Sequence, residues 1–246
     1  MSVNLEFTIR RWSAWAPGLS CASQWLTWAR KPRTPEGDDP PPLTAMPPLL
    51  RRRMSRLGRL AMQSCWDSEQ DQISTPIVFA SRYGDLSRAL ALIEDLAREG
   101  AVSPTGFSLS VHNAIGAMYS IARGDRSNAI CVAAGRATAA AGLIEAVGLL
   151  CDGAAEVTVV CYDEALPAVY AEFRDEPPCI WAWAWRVALP GAGEHRLSLR
   201  VGATDQCDDA PGMLPASLEV MRHFLSGEAL LVQHLDGRRW EWQRDA

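Results

Sequence analysis

Side chains that could act as nucleophiles or bases are present in this chain, but scattered. Seven cysteines stand at 21, 65, 131, 151, 161, 179 and 207, and four histidines at 112, 195, 223 and 234. Transfer of an acyl group by a thiol needs a lowered pKa, which a helix N-terminus, a nearby cation or a paired histidine supplies. No two cysteines have C-x-x-C spacing and none has metal-ligand spacing to a histidine, so neither a dithiol centre nor a metal site is expected. Cys131 lies inside the apolar run Ala129 to Ala134, where a thiol packs in a sheet with no dipole to ionise it. His112 and Asn113 form an adjacent polar pair, and Ser110 lies two residues before. A minimal acyltransferase would have to use Ser110 or Cys131. No His or Asp at a recognisable helper spacing accompanies either.

The elements that must position these residues read as alternating strands and helices. Val3 to Arg11 alternates as an edge strand and runs into a Trp-rich loop with a turn at Pro17-Gly18; Trp25 and Trp28 follow at helical spacing. Seven prolines in the seventeen residues from Pro32 to Pro48 exclude regular helix or central strand and predict an exposed loop over 32–48. Leu49 to Trp66 has helical periodicity, with Leu50, Met54, Leu57, Ala61 and Cys65 on one face and Arg51, Arg52, Arg56 and Arg59 toward solvent. Then come a strand at Pro76 to Ala80, a helix from Asp85 to Arg98 closed by Gly100, and a strand at Glu156 to Tyr162. This order predicts an α/β fold with a mostly parallel sheet. From Cys179 the pattern has period two, with Trp181, Trp183 and Trp185 on one face and alanines on a covered opposite face. The remainder, to 246, reads as a short β-rich ββαββ tail, with a turn at Asp236-Gly237.

Composition bounds the function. With 48% hydrophobic and 22% charged residues the chain is an ordinary globular protein expected to form a single domain over 1–246. A net charge of -5 argues against nucleic-acid binding through overall charge. The opening MSVNLE lacks a basic region and apolar core, so no signal peptide is expected and the free cysteines fit the cytoplasm. Asn128 to Cys151 is apolar but carries Arg136 and Glu145 among alanines and glycines, which predicts a closely packed buried helix and no membrane span.

One stretch carries a family signature. Ser103, Pro104, Phe107, Ser110 and Asn113 reproduce S-P-x-x-F-x-x-S-x-x-N at its full spacing, and Ser120, Ile121 and Gly124 continue it. The segment resembles the nucleophile region of a β-ketoacyl synthase. Where that family's A-A-C-x-S-S motif calls for the acyl-accepting cysteine, this chain reads Ala133-Ala134-Gly135-Arg136-Ala137-Thr138. The resemblance covers roughly residues 1–166. Together with WSAWAPGL and PPLLRRRMSRLGRLA it is similar to the truncated chain length factors associated with aryl polyene biosynthesis.

The resemblance implies a thiolase-like fold of αβα layers, the N-terminal half complete and the C-terminal part (179–246) abbreviated. It implies no catalytic residue in this chain, Gly135 having no side chain to acylate, and no cofactor. The implied partner is a catalytic β-ketoacyl-acyl carrier protein synthase subunit. Phe107, Ser110, His112 and Asn113 would lie at the dimer interface, and Leu86, Leu90 and Ile93 on a helix gating the acyl tunnel, with plain core packing as the alternative. Arg52 and Arg53 fall where family members dock the acyl carrier protein; an ordinary solvated helix face is the other reading. A free-standing acyl-binding module is the remaining alternative to the subunit role.

Overall fold

The computed structural model describes residues 3–69 and 75–245. Two apolar strands, β2 (Ile77–Ala80) and β4 (Val157–Asp163), are almost wholly buried because helices cover both faces of the sheet around them. They pair in parallel with each other, and β3 (Ala129–Val132) pairs in parallel with β2 on its other side. The remaining strands are β1 (Val3–Trp15), β5 (Trp181–Ala188), β6 (Leu197–Ala203), β7 (Leu230–Leu235) and β8 (Arg238–Arg244). All eight form one sheet in the order β3-β2-β4-β5-β1-β6-β8-β7.

Two expectations are corrected here. The sheet is mixed, and every pairing beyond β4 is antiparallel. Between β4 and β5 lies only a 3-10 turn (Ala168–Phe173) and no crossover helix, so β5 returns alongside β4 in the opposite direction. Nor is β1 an edge strand followed by a loop. It pairs with both β5 and β6, and the Trp-rich stretch belongs to it, Trp12 standing opposite Trp185 and Trp15 opposite Ala182.

The helices are α1 (Ala22–Arg30), α2 (Pro48–Arg51), α3 (Arg56–Glu69), α4 (Leu86–Glu99), α5 (Pro104–Ser108), α6 (Ala114–Arg123), α7 (Thr138–Cys151) and α8 (Ala216–Ser226). On one face of the sheet, α1, α7 and α8 pack over the three tryptophans of β5; Trp183 Nε1 donates to the Ser217 carbonyl at 3.0 Å. On the other, α3 and α6 cover Ala182 and Ala184, with Leu43 and Met46 of the Pro-rich segment. This is the expected three-layer α/β/α arrangement, with the ββαββ tail in place. Gly142 lets α7 come close: an added Cβ would lie 3.0 Å from that of Ala80.

The single helix expected over Leu49 to Trp66 is two. Ser55 Oγ accepts from Gly58 N at 3.0 Å and starts α3 afresh. Most of the arginines read as facing solvent are engaged: Arg51 donates to the Leu43 carbonyl, Arg56 to Asp38 and Arg59 to the Arg51 carbonyl. Arg51 and Arg56 fasten the Pro-rich segment onto the body, and with Leu43 and Met46 buried that segment is only in part the exposed loop expected.

Candidate functional site

The turn between β3 and α7 holds Gly135. Its φ of +53° is in the left-handed region that favours glycine, and Ala134 and Arg136 form a bridge across it. An ideal Cβ at this position would lie 2.8 Å and 3.0 Å from the two carboxylate oxygens of Asp236. Asp236 and Gly237 form the β7–β8 turn, both with positive φ, as a two-residue type I′ hairpin requires. At the start of helix α7, Ala139 N donates to Ser217 Oγ (3.2 Å), and Ala137 N, bonded to the Ala134 carbonyl at 3.0 Å, also reaches Asp236 Oδ2 at 3.3 Å. Thr138 Oγ1 donates to the Gly135 carbonyl at 2.7 Å and accepts from Ala134 N at 3.1 Å. In the reading of residue 135 as the nucleophile position, these are the donors that would otherwise favour a thiolate there.

The crevice at the carboxyl ends of the parallel strands is polar. Asp163, at the end of β4, accepts from Ser81 Oγ (2.9 Å) and from Arg82 N (3.0 Å), holding the turn that leads into α4. Burial pushes its carboxyl up to about 7. Arg82 grips Asp175 with two bonds of 2.6 and 2.7 Å, and Glu176 lies between Arg82 (3.5 Å) and Arg136 (3.7 Å) while accepting from Ala216 N. Among the described residues no group of histidine, cysteine and carboxylate side chains could hold a metal ion.

The expected gate and interface residues come together on one flank. Helix α4 is strongly amphipathic yet has no buried residue; Ile93 is 55% exposed, and Leu86 and Leu90 are only half-buried. Ile93 thus lies outside the core of this chain, while Leu86 and Leu90 are partly covered within it. Six of the fourteen large apolar side chains exposed among the described residues lie between 93 and 121: Ile93, Leu96, Val102, Phe107, Val111 and Ile121. Two helices that the sequence pattern did not signal lie within 103–124: Ser103 caps α5, its Oγ accepting from Gly106 N, and Asn113 precedes α6. Phe107 and Asn113 are exposed. Ser110 Oγ donates to the Phe107 carbonyl, and His112 Nε2 turns inward to the Ser81 carbonyl at 2.8 Å. Strand β3 is the sheet edge on this flank, and its outer side pairs with no described strand.

The Arg52 and Arg53 side chains are exposed just past α2. Arg88 of α4 donates to the Arg53 carbonyl at 2.8 Å, so this basic pair sits beside the start of α4. Asp236 and Ser217 were missed as site residues. The Asp-Gly pair signals its own turn, but nothing local in the sequence signals that its carboxylate reaches Gly135.

Comparison with known proteins fits this geometry. The chain is similar over 98% of its length, and over 100% of the matched chain, to a structure described as a ketosynthase, ApeO, in complex with its chain length factor, ApeC, from Xenorhabdus doucetiae, at 30% identity and a TM-score of 0.85. The ishigamide ketosynthase/chain length factor shares the fold at 14% identity (TM-score 0.72, covering 97% of this chain and 98% of that one). A β-ketoacyl synthase from Burkholderia phymatum does so at 11% identity (TM-score 0.59), with 76% of this chain matching 59% of that longer one. The architecture is thus the thiolase-like fold of ketosynthases. No curated protein matches the sequence. The family model for the β-ketoacyl synthase N-terminal domain matches residues 25–243, a span that takes in both the Gly135 turn and the Asp236 hairpin packed on it, and the chain belongs to that family.

Proposed function

We propose that this chain is a noncatalytic subunit of the chain length factor type, pairing with a full-length β-ketoacyl-acyl carrier protein synthase in polyene, polyketide or fatty-acid-type chain elongation in the cytoplasm. The observation that carries the reading is the bare flank formed by α4, α5, the start of α6 and the β3 edge. A free edge strand beside exposed apolar side chains calls for a covering partner. The other sheet edge differs: the Asp209 carboxylate accepts from His234 N at 2.8 Å, and Asp209 N donates to the His234 carbonyl at 2.7 Å, so a loop guards β7. The similarity to the Xenorhabdus doucetiae complex supports a ketosynthase as the occupant of the bare flank. Residues 103–138 would form most of a seam burying at least about 2,000 Å² in total.

In this reading the acyl chain grows on the partner's cysteine and enters a tunnel along the seam. Leu86, Leu90 and Ile93 stop its far end, and Arg52 and Arg53 receive the acidic carrier protein. No cofactor is required of this subunit. The enzyme alternative is disfavoured, because burial pushes the Cys131 thiol up to about 11 and the Ser110 hydroxyl is spent on a backbone carbonyl. A free-standing acyl-binding module is disfavoured by the uncovered flank. With the catalytic partner in saturating excess, so that a weakened complex still forms in near-normal yield, Leu86→Ala or Ile93→Ala should shift products toward longer acyl chains. Normal assembly with an unchanged product distribution in both variants would place the gate elsewhere.

A further inference from the structure

The C-terminal hairpin meets the β3–α7 turn in a way that the chain length role does not require. A glycine at 135 already removes the nucleophile, and a type I′ turn is satisfied by its own Asp-Gly pair with the side chain pointing anywhere. Yet the Asp236 carboxylate is directed at Gly135, and three further ties hold the hairpin there. Asp208 accepts from both turn amides, Asp236 N at 2.8 Å and Gly237 N at 2.9 Å. Asp209 engages His234 on β7. Arg136, the residue next to Gly135, reaches across to the Asp209 carbonyl at 2.6 Å.

We propose that the β7–β8 turn is a built-in cap on the vestigial acyl seat, with Asp236 as its closing residue. The carboxylate fills the space into which any side chain at 135 would project. Any thiol placed there would also meet a negative charge, which opposes formation of thiolate. The cap confines acyl loading to the partner, and it makes restoration of cysteine at 135 insufficient for acylation. This inference rests on reading Gly135 as the nucleophile position of a noncatalytic subunit.

The test compares Gly135→Cys with Gly135→Cys/Asp236→Gly. A Gly-Gly pair also suits a type I′ turn, so the hairpin is retained. Labelling of the introduced thiol by iodoacetamide, read by peptide mass spectrometry apart from the exposed Cys21, Cys151 and Cys207, should be roughly tenfold or more faster in the double variant. Equal rates would overturn the cap. Should Gly135→Cys fail to fold, Gly135→Ala decides: its Cβ meets the Asp236 oxygens, so adding Asp236→Gly should raise its melting temperature, and no gain in stability would overturn the proposal. Assembly of the unmodified chain and of Asp236→Gly with a catalytic ketosynthase is measured in parallel. A labelling difference without assembly of either protein defeats the subunit reading and leaves the cap standing, whereas assembly without a labelling or stability difference defeats only the cap.

Discussion

Ile93 separates a residue that stabilises this chain from one that serves a partner. Fully burying an isoleucine side chain is worth about 1.5–3 kcal/mol. With 55% of Ile93 exposed, roughly half of that, about 1–1.5 kcal/mol, is available only when another surface covers α4. Ile93→Ala should therefore lower the melting temperature of the isolated chain by no more than about 2–4 °C. It should weaken association with the catalytic subunit roughly five- to tenfold. Ile93→Asp puts a charge on the same covered face without a partner for it, and should abolish measurable association while leaving the isolated chain folded. Leu143→Ala in α7 is the contrast: that side chain is fully buried, and its truncation should cost about 2–5 kcal/mol of folding stability. Thermal unfolding of each isolated variant and titration against the partner give the two readouts. If Ile93→Asp unfolds the isolated chain as Leu143→Ala destabilises it, or binds as tightly as the parent, the assignment of α4 to an interface is refuted.

Two other consequences follow from particular side chains. His223 is buried in α8, and burial pulls its pKa down to about 4 from the ordinary 6.5, so the folded state holds it neutral while the unfolded chain takes up a proton below 6.5. Stability should thus fall as pH drops from 6.5 toward 4, by up to about 3 kcal/mol, and His223→Leu should flatten that part of the profile; parallel profiles for the two proteins would contradict it. Reversing the exposed pair with Arg52→Glu/Arg53→Glu should leave heterodimer formation intact and weaken carrier-protein-dependent turnover, most at low salt. Turnover unchanged at every salt concentration would return these residues to a plain solvated surface.

Legibility in the sequence tracked how local each feature is. The β5 tryptophan stripe, the Gly100 helix stop and the Asp236-Gly237 turn are set by residues within a few positions, and all stand as expected. The resemblance carried by 103–138 led to the fold and to the flank where the interface candidates gather. Strand order is not local: nothing in Val3 to Trp15 distinguishes an edge strand from one flanked by β5 and β6. The break between α2 and α3 was hidden because Arg51 and Arg56 keep helical periodicity while binding the Pro-rich segment. The Asp236 contact was equally hidden, since its bond to Ala137 spans 99 residues of chain.

The central claim is that this chain works as one half of a ketosynthase pair. Sedimentation of the purified chain with a full-length catalytic β-ketoacyl synthase tests this most directly. The account predicts a stable complex with one copy of each, whose elongation activity depends on the partner's cysteine. A chain that sediments alone as a folded monomer at all partner concentrations, with the ketosynthase making the same products in its absence, would contradict it.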